Sequence, residues 1–234
     1  MKTCKNLKKM NELNDSIKLE DNNLNEVIGK MKNINNKVKR NFDESVDIIV
    51  NLNINLKKEQ GLRGTCVLPY GNGKKIKIAV FAEGKEADVA KELGVEIVGG
   101  EELINKIRSG DEKLPVNKCV ATPAMMLKLT KIASILGKRG IMPNQKDGTI
   151  TDNMKDIINN IKKGIVFFQS EKKSGHLQAS VGRISYSEKQ LEENVKEFVS
   201  TIKKLQKNPK LSIIKSVYIS TTMGLSYNIN LNSL

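Results

Sequence analysis

Tryptophan is absent from these 234 residues, aromatic residues make up 4%, and there is one histidine, His176. A Ser-His-Asp or Cys-His arrangement can therefore be built only around His176, and nothing near it resembles a nucleophile elbow or an activated cysteine. Zinc chemistry lacks its ligands too, because there is no Cys-x-x-Cys and no His pair at ligand spacing. His176 lies in a polar stretch beside Lys172, Lys173 and Gly175, where an exposed hairpin is expected. The three cysteines, Cys4, Cys66 and Cys119, are odd in number and far apart, which is no disulfide framework and fits a reducing compartment. No run approaches the roughly 18 apolar residues of a membrane span. Met1 to Asn23 has no apolar stretch suited to a secretory signal, and Glu12, Asp15, Glu20 and Asp21 are foreign to an acid-poor transit peptide. The expectation is a soluble, intracellular protein with no catalytic residues, no metal, no cofactor and no membrane partner.

What the chain has in excess is positive charge. Forty Lys and Arg against 26 Asp and Glu give a formal +14, and such a protein usually meets a polyanion. Charge alone does not choose between nucleic acid and an anionic surface.

Hydrophobic periodicity divides the chain into two styles. After a basic, Asn-rich lead-in, Val46, Ile48, Val50, Leu52 and Ile54 alternate with mostly polar neighbours, so residues 45–54 read as a half-buried strand. A second strand covers 62–68 and ends at Pro69 and the Tyr70-Gly71-Asn72-Gly73 turn. From Lys75 the pattern becomes strand (Ile76, Ile78, Val80), helix (Ala87 to Leu93), strand (96–98), helix (Leu103 to Ile107) and strand (119–121). Thr122 then caps a helix that has Pro123 at its first position and runs to about Leu136. This alternation builds a parallel sheet covered by helices. A further helix carries Met154, Ile157, Ile158 and Ile161 and stops at Gly164. The earlier style then returns: strands at 165–170 and 176–182, a long helix, and strands at 214–222 and 226–231. Ser187 and Gln190 suit a capping box for the long helix, whose stripe of Leu191, Val195, Phe198, Val199, Ile202 and Leu205 is core. The fold class is thus α/β and α+β. A discontinuous outer domain, residues 1–71 with 165–234, of split β-α-β type, holds an inserted three-layer α/β, Rossmann-like domain at 72–164.

Three glycine-containing segments stand apart from both cores. Gly71-Asn72-Gly73-Lys74-Lys75 fails as a phosphate loop, having the wrong glycine spacing and preceding a strand, and reads as a hinge with Pro69, Gly71, Gly73 and Gly164. Gly137-Lys138-Arg139-Gly140-Ile141-Met142-Pro143-Asn144 suits phosphate contact and a plain closing loop equally. Ser220-Thr221-Thr222-Met223-Gly224 reads either as a hairpin turn with Gly224 at positive φ, or as a backbone that a sugar-phosphate chain can approach while Met223 packs on a ribose or base. Phe42, beside Lys39 and Arg40 at the start of a strand, is either core or an RNA-facing aromatic.

In order and spacing, Arg63 to Lys75, Gly137 to Asn144 and Ser220 to Gly224 resemble a family of large-subunit ribosomal proteins. It is the family numbered one in its subunit, of the mobile stalk beside the tRNA exit site. The resemblance covers roughly residues 40–231, with departures at Leu225, Lys138, Gln145 and Gln178, with Arg183 replacing a lysine, and with no Phe-Asp in Leu114 to Lys118. It implies an RNA surface of Phe42, Glu44, Ser45, Gln178, Arg183, Ser216, Thr222, Met223 and Gly224, with Lys39 and Arg40 supplying further phosphate contacts. It also implies a structural constituent of the large subunit, a monomer within the ribosome, in the cytoplasm or an organelle matrix. Its partners would be stalk ribosomal RNA, exit-site tRNA and, in repression, its own operon messenger. The competing readings are a nucleotide-binding α/β enzyme and a nonspecific basic RNA-binding protein.

Overall fold

The computed structural model describes residues 23–38, 40–53, 62–74, 76–109, 115–171, 174–205 and 214–231. Its Cα framework groups into two compact units, one including the chain up to Gly73 and from Gly164 onward, the other Lys74–Lys163.

The first unit is built on a four-stranded antiparallel sheet of β1 (Ser45–Leu52), β7 (His176–Arg183), β8 (Ile214–Thr221) and β9 (Ser226–Ile229), in the order β7-β1-β8-β9. The alternation read from the sequence is realised in β1, where Val46, Ile48, Val50 and Leu52 are buried and the intervening residues are not. These side chains pack on two helices, α1 (Leu24–Lys37) and α7 (Glu188–Lys204). Helix α7 connects β7 to β8, which lie on either side of β1, so the pair forms a β-α-β crossover split by β1. Its capping box is complete: Ser187 Oγ accepts from Gln190 N, and Gln190 Oε1 accepts from Ser187 N. Phe198 meets Phe168 edge to face, with ring centroids 5.4 Å apart. A separate ladder of β2 (Arg63–Val67) and β6 (Ile165–Gln169) completes the unit.

Helix α1 corrects the reading of the lead-in as mere basic, Asn-rich chain. Leu24, Val27, Ile28 and Met31 recur at helical spacing and are all buried against α7 and the sheet. Strand ends shift by at most two residues; Ile54 lies outside the described residues, and His176 is the exposed first residue of β7.

The second unit holds a parallel sheet of β3 (Ile78–Phe81), β4 (Ile97–Gly99) and β5 (Lys118–Ala121), in the order β4-β3-β5. Every residue of β3 is buried, as expected of a strand covered on both faces. Ala79, Phe81, Cys119 and Ala121 pack on α3 (Glu101–Ser109) and α4 (Pro123–Leu129). The alternate residues Ile78, Val80 and Val120 are buried on the side of α2 (Lys85–Glu92) and α6 (Met154–Lys163), giving three layers. Thr122 caps α4 by accepting from Met125 N. The helix expected to run unbroken to Leu136 is interrupted by a 3-10 turn at Thr130–Ile132, where Thr130 Oγ1 donates to Leu127 O at 2.6 Å. It resumes as α5 (Ala133–Lys138). Burial raises the Cys66 thiol pKa and pushes Cys119 up to about 12, so both behave as core residues.

The backbone at Gly71 and Gly164 is fixed by close approach as well as by conformation. Gly71 has φ 66° and Gly164 φ 104°, and a Cβ on Gly164 would lie 2.5 Å from Gly71 Cα. Gly164→Ala is therefore expected to destabilise this unit by about 2 kcal/mol, read as a lower urea midpoint; an unchanged midpoint would show that the two passes can separate at no cost.

Candidate nucleic-acid interface

At the start of β1 and the end of β8 the ladder is continued by side chains. Val46 pairs with Thr221, and one step beyond, Thr222 N donates to Ser45 O at 3.1 Å while Thr222 Oγ1 accepts from Ser45 N at 3.0 Å. The two hydroxyls lie 2.9 Å apart, and Ser45 Oγ reaches Asp47 Oδ2 at 3.3 Å. The hydroxyl of Thr222 thus replaces a backbone carbonyl, and the chain is free to turn at Met223.

That turn is gripped from below. Glu44 is 2% exposed, with Oε1 2.5 Å from Arg40 Nε and Oε2 accepting from Met223 N at 3.3 Å. Arg40 Nη2 donates to Met223 O at 3.2 Å. Both polar groups of the Met223 backbone are thereby held by one buried ion pair, and its side chain stands out, 53% exposed. Phe42 is 52% exposed, which decides between its two readings: it is not core.

Gly224 is a glycine for a different reason than the hairpin reading supposes. Its φ is not positive; instead a Cβ there would sit 2.1 Å from Thr221 Oγ1, and Gly224 N donates to Thr221 O at 3.0 Å. Arg183, paired with Ser45 in the β1–β7 register, donates from Nη1 to Asp43 O at 3.1 Å. The structure thus brings Arg40, Phe42, Glu44, Ser45, Arg183, Thr222, Met223 and Gly224 to one end of the sheet. Lys39 lies outside the described residues. Gln178 and Ser216 stand apart on the open face of the same sheet, Ser216 accepting from Asn51 Nδ2 at 2.8 Å.

This open face was not assembled from the sequence. Asp47, Ile49 and Asn51 of β1, Gln178 and Ser180 of β7, and Tyr218 and Ser220 of β8 line the side opposite the helices, with Tyr218 paired to Ile49. The period-2 polar positions were the available signal. Asn194 was also missed, because it sits among the apolar residues of α7. It is fully buried, and its amide accepts from Tyr70 N at 3.2 Å and donates to Gly71 O at 3.0 Å and Val181 O at 2.8 Å. Of the hinge candidates, Gly71 is held by Asn194, Gly73 has φ 70°, and Pro69 is an exposed residue within the turn that Gly71 N closes on Leu68 O.

The remaining basic segment is a helix terminus. Gly140, with φ 67°, donates to Gly137 O at 3.0 Å and Ile141 N donates to Leu136 O at 3.1 Å, the paired bonds of a Schellman motif. Lys138 and Arg139 therefore sit at the C-terminus of α5, where cations complement the helix dipole and a phosphate is disfavoured. Of the two readings of this segment, the closing loop is the one the geometry favours.

The sequence profile of the ribosomal protein L1p/L10e family matches residues 31–225. The chain belongs to this family. Among curated proteins, "Large ribosomal subunit protein uL1" of Wolbachia pipientis wMel is 42% identical over 201 residues, 85% of this chain and 92% of the relative. The protein of the same name in Borreliella burgdorferi B31 is 45% identical over 190 residues, 81% and 82% of the two chains. That of Proteus mirabilis HI4320 is 36% identical over 235 residues, covering 100% and 97%. The relatives are named as large-subunit ribosomal proteins, and the family is one of structural constituents, not of enzymes. Among the described residues no helix is long and apolar enough to cross a membrane.

Proposed function

We propose that this protein is a structural constituent of the large ribosomal subunit that binds ribosomal RNA of the mobile stalk and assists release of exit-site tRNA. The observation that carries the reading is that two exposed apolar side chains, Phe42 and Met223, stand at one end of the sheet, Met223 on a backbone held by Glu44 and Arg40 and next to the clasp of Ser45 and Thr222. A rigid apolar prominence beside hydroxyls suits packing on riboses and unstacked bases, with shape deciding the partner. Arg183 and Lys39 supply phosphate contacts, whereas Arg40 acts chiefly by holding Met223. The open polar face, with Tyr218 at its centre and Gln178 and Ser216 upon it, extends the contact along the sheet.

Residues 1–71 with 165–234 serve as the RNA-binding domain and 72–164 as a domain hinged to it at Pro69, Gly71, Gly73 and Gly164. The protein acts as a monomer within the cytoplasmic ribosome and moves with the stalk. It represses its own operon messenger if that RNA mimics the ribosomal site. A gel-shift comparison tests this: messenger and ribosomal fragments are expected to compete for one surface, and a messenger that forms no complex beside a tight ribosomal one removes repression from the account.

The nucleotide-enzyme alternative is disfavoured by electrostatics. Ligands of parallel α/β sheets bind at the C-terminal strand ends. Here that edge carries Glu83, Glu101 and Glu102, with Lys128 Nζ bridging Glu83 at 2.8 Å and Glu101 at 3.2 Å. Hydrogen bonds from Lys131 and Lys128 lower the Glu101 pKa, so this carboxylate stays charged, engages both lysines and would repel a phosphate.

A further inference from the structure

Arg183 lies where two roles meet. The chain leaving β2 is fastened to its own unit by a succession of side chains from residues 183–194: Asn194 holds Tyr70 N and Gly71 O, Tyr186 Oη donates to Tyr70 O at 3.3 Å, and Arg183 Nε donates to Gly73 O at 3.3 Å. Arg183 is the outermost of these fasteners. Its side chain lies flat across Gly73, since a Cβ there would meet Arg183 Cγ, Cδ and Nε at 3.1 Å each. The Nη1 group of the same guanidinium holds Asp43 O at 3.1 Å, and the Asp43 carboxylate in turn accepts from Ser185 N at 3.3 Å and Ser185 Oγ at 2.8 Å. Asp43 is flanked by Phe42 and Glu44 of the candidate interface.

We infer that Arg183 is a positioning residue that ties the RNA-facing segment at Asp43 to the outgoing chain at Gly73, so that engagement of RNA and the freedom of Gly73 are linked. A guanidinium has five N–H donors in a planar fork. Two bonds to carbonyls leave the Nη2 donors for a phosphate, and a phosphate bound there immobilises the fork that holds Gly73. A lysine carries the same charge as a point donor without the fork, so it keeps attraction for phosphate but cannot span both carbonyls in this way. The linkage to RNA rests on the function proposed above; the fastening of Gly73 does not.

Hydrogen exchange of the peptide spanning residues 70–74 tests the two parts separately. In the protein without RNA, Arg183→Lys and Arg183→Met should each speed exchange about tenfold, the size of one charge-assisted hydrogen bond. Equal exchange in wild type and Arg183→Lys, with circular dichroism unchanged, overturns the inference whatever the RNA result. On adding a stalk ribosomal RNA fragment, exchange in this peptide should slow further in the wild type and not in Arg183→Met. Slowing of equal size in both overturns the linkage, and a fragment that fails to bind the wild type overturns the proposed function while leaving the fastening to be judged by the first comparison.

Discussion

Met223→Asp is expected to weaken binding to stalk ribosomal RNA by about 100-fold or more while leaving the urea midpoint nearly unchanged. The side chain is half exposed and its backbone is held by Glu44 and Arg40, not by its own packing, so the substitution removes nothing from the core. What it changes is the surface offered to RNA: an apolar prominence becomes a carboxylate facing a polyanion. Met223→Leu, which keeps the apolar volume, should bind nearly as the wild type does. Wild-type affinity in Met223→Asp would place the RNA site elsewhere on the molecule.

Glu44→Gln acts from the opposite side of the same turn and should cost both stability and binding. Glu44 is buried, with one oxygen on Arg40 Nε and the other on Met223 N. A glutamine can satisfy one of these donors but sets its amide N–H₂ against the other, and Arg40 loses the charge of Glu44 in a largely enclosed site. Removing one partner of such a pair costs about 3 kcal/mol. Because the lost bonds are those that fix Met223, affinity for stalk RNA should fall even under conditions where the variant is fully folded. Unfolding measured in urea, followed by RNA titration at a concentration of folded protein set by that curve, separates the effects. Full stability would mean that the ion pair does not hold the turn.

These predictions concern residues whose types the sequence reveals but whose partners it hides. Phe42, Glu44 and Ser45 are visible as an aromatic, an acid and a hydroxyl at the start of a strand, and Thr222, Met223 and Gly224 at the end of another. Only the antiparallel pairing of β1 with β8 makes them neighbours, and no local periodicity encodes that register. The need for Gly224 was likewise misplaced. Glycine is usually read as a φ requirement, whereas here it leaves room for the Thr221 hydroxyl.

Elements whose signals are local were legible. The capping box at Ser187, the Thr122 cap before Pro123 and the stop at Gly164 each depend on residues within a few positions of one another. Helix α1 was lost because asparagines dilute its apolar stripe, so that Leu24, Val27, Ile28 and Met31 are persuasive only once the sheet and α7 are present to cover them. Asn194 escaped for the converse reason. A polar residue within an apolar stripe reads as an interruption until the chain at Tyr70 and Gly71 is seen to need its amide.

The central claim is that this protein selects stalk ribosomal RNA by shape and does not merely attract polyanions by charge. Titrating the purified protein with a stalk RNA fragment and with an unrelated duplex, each at two salt concentrations, tests it most directly. Phosphate contacts make both affinities fall with salt, but packing by Phe42 and Met223 should leave a strong preference for the stalk fragment at the higher concentration. Equal affinities that fall together as salt rises would contradict the account and leave a nonspecific basic protein.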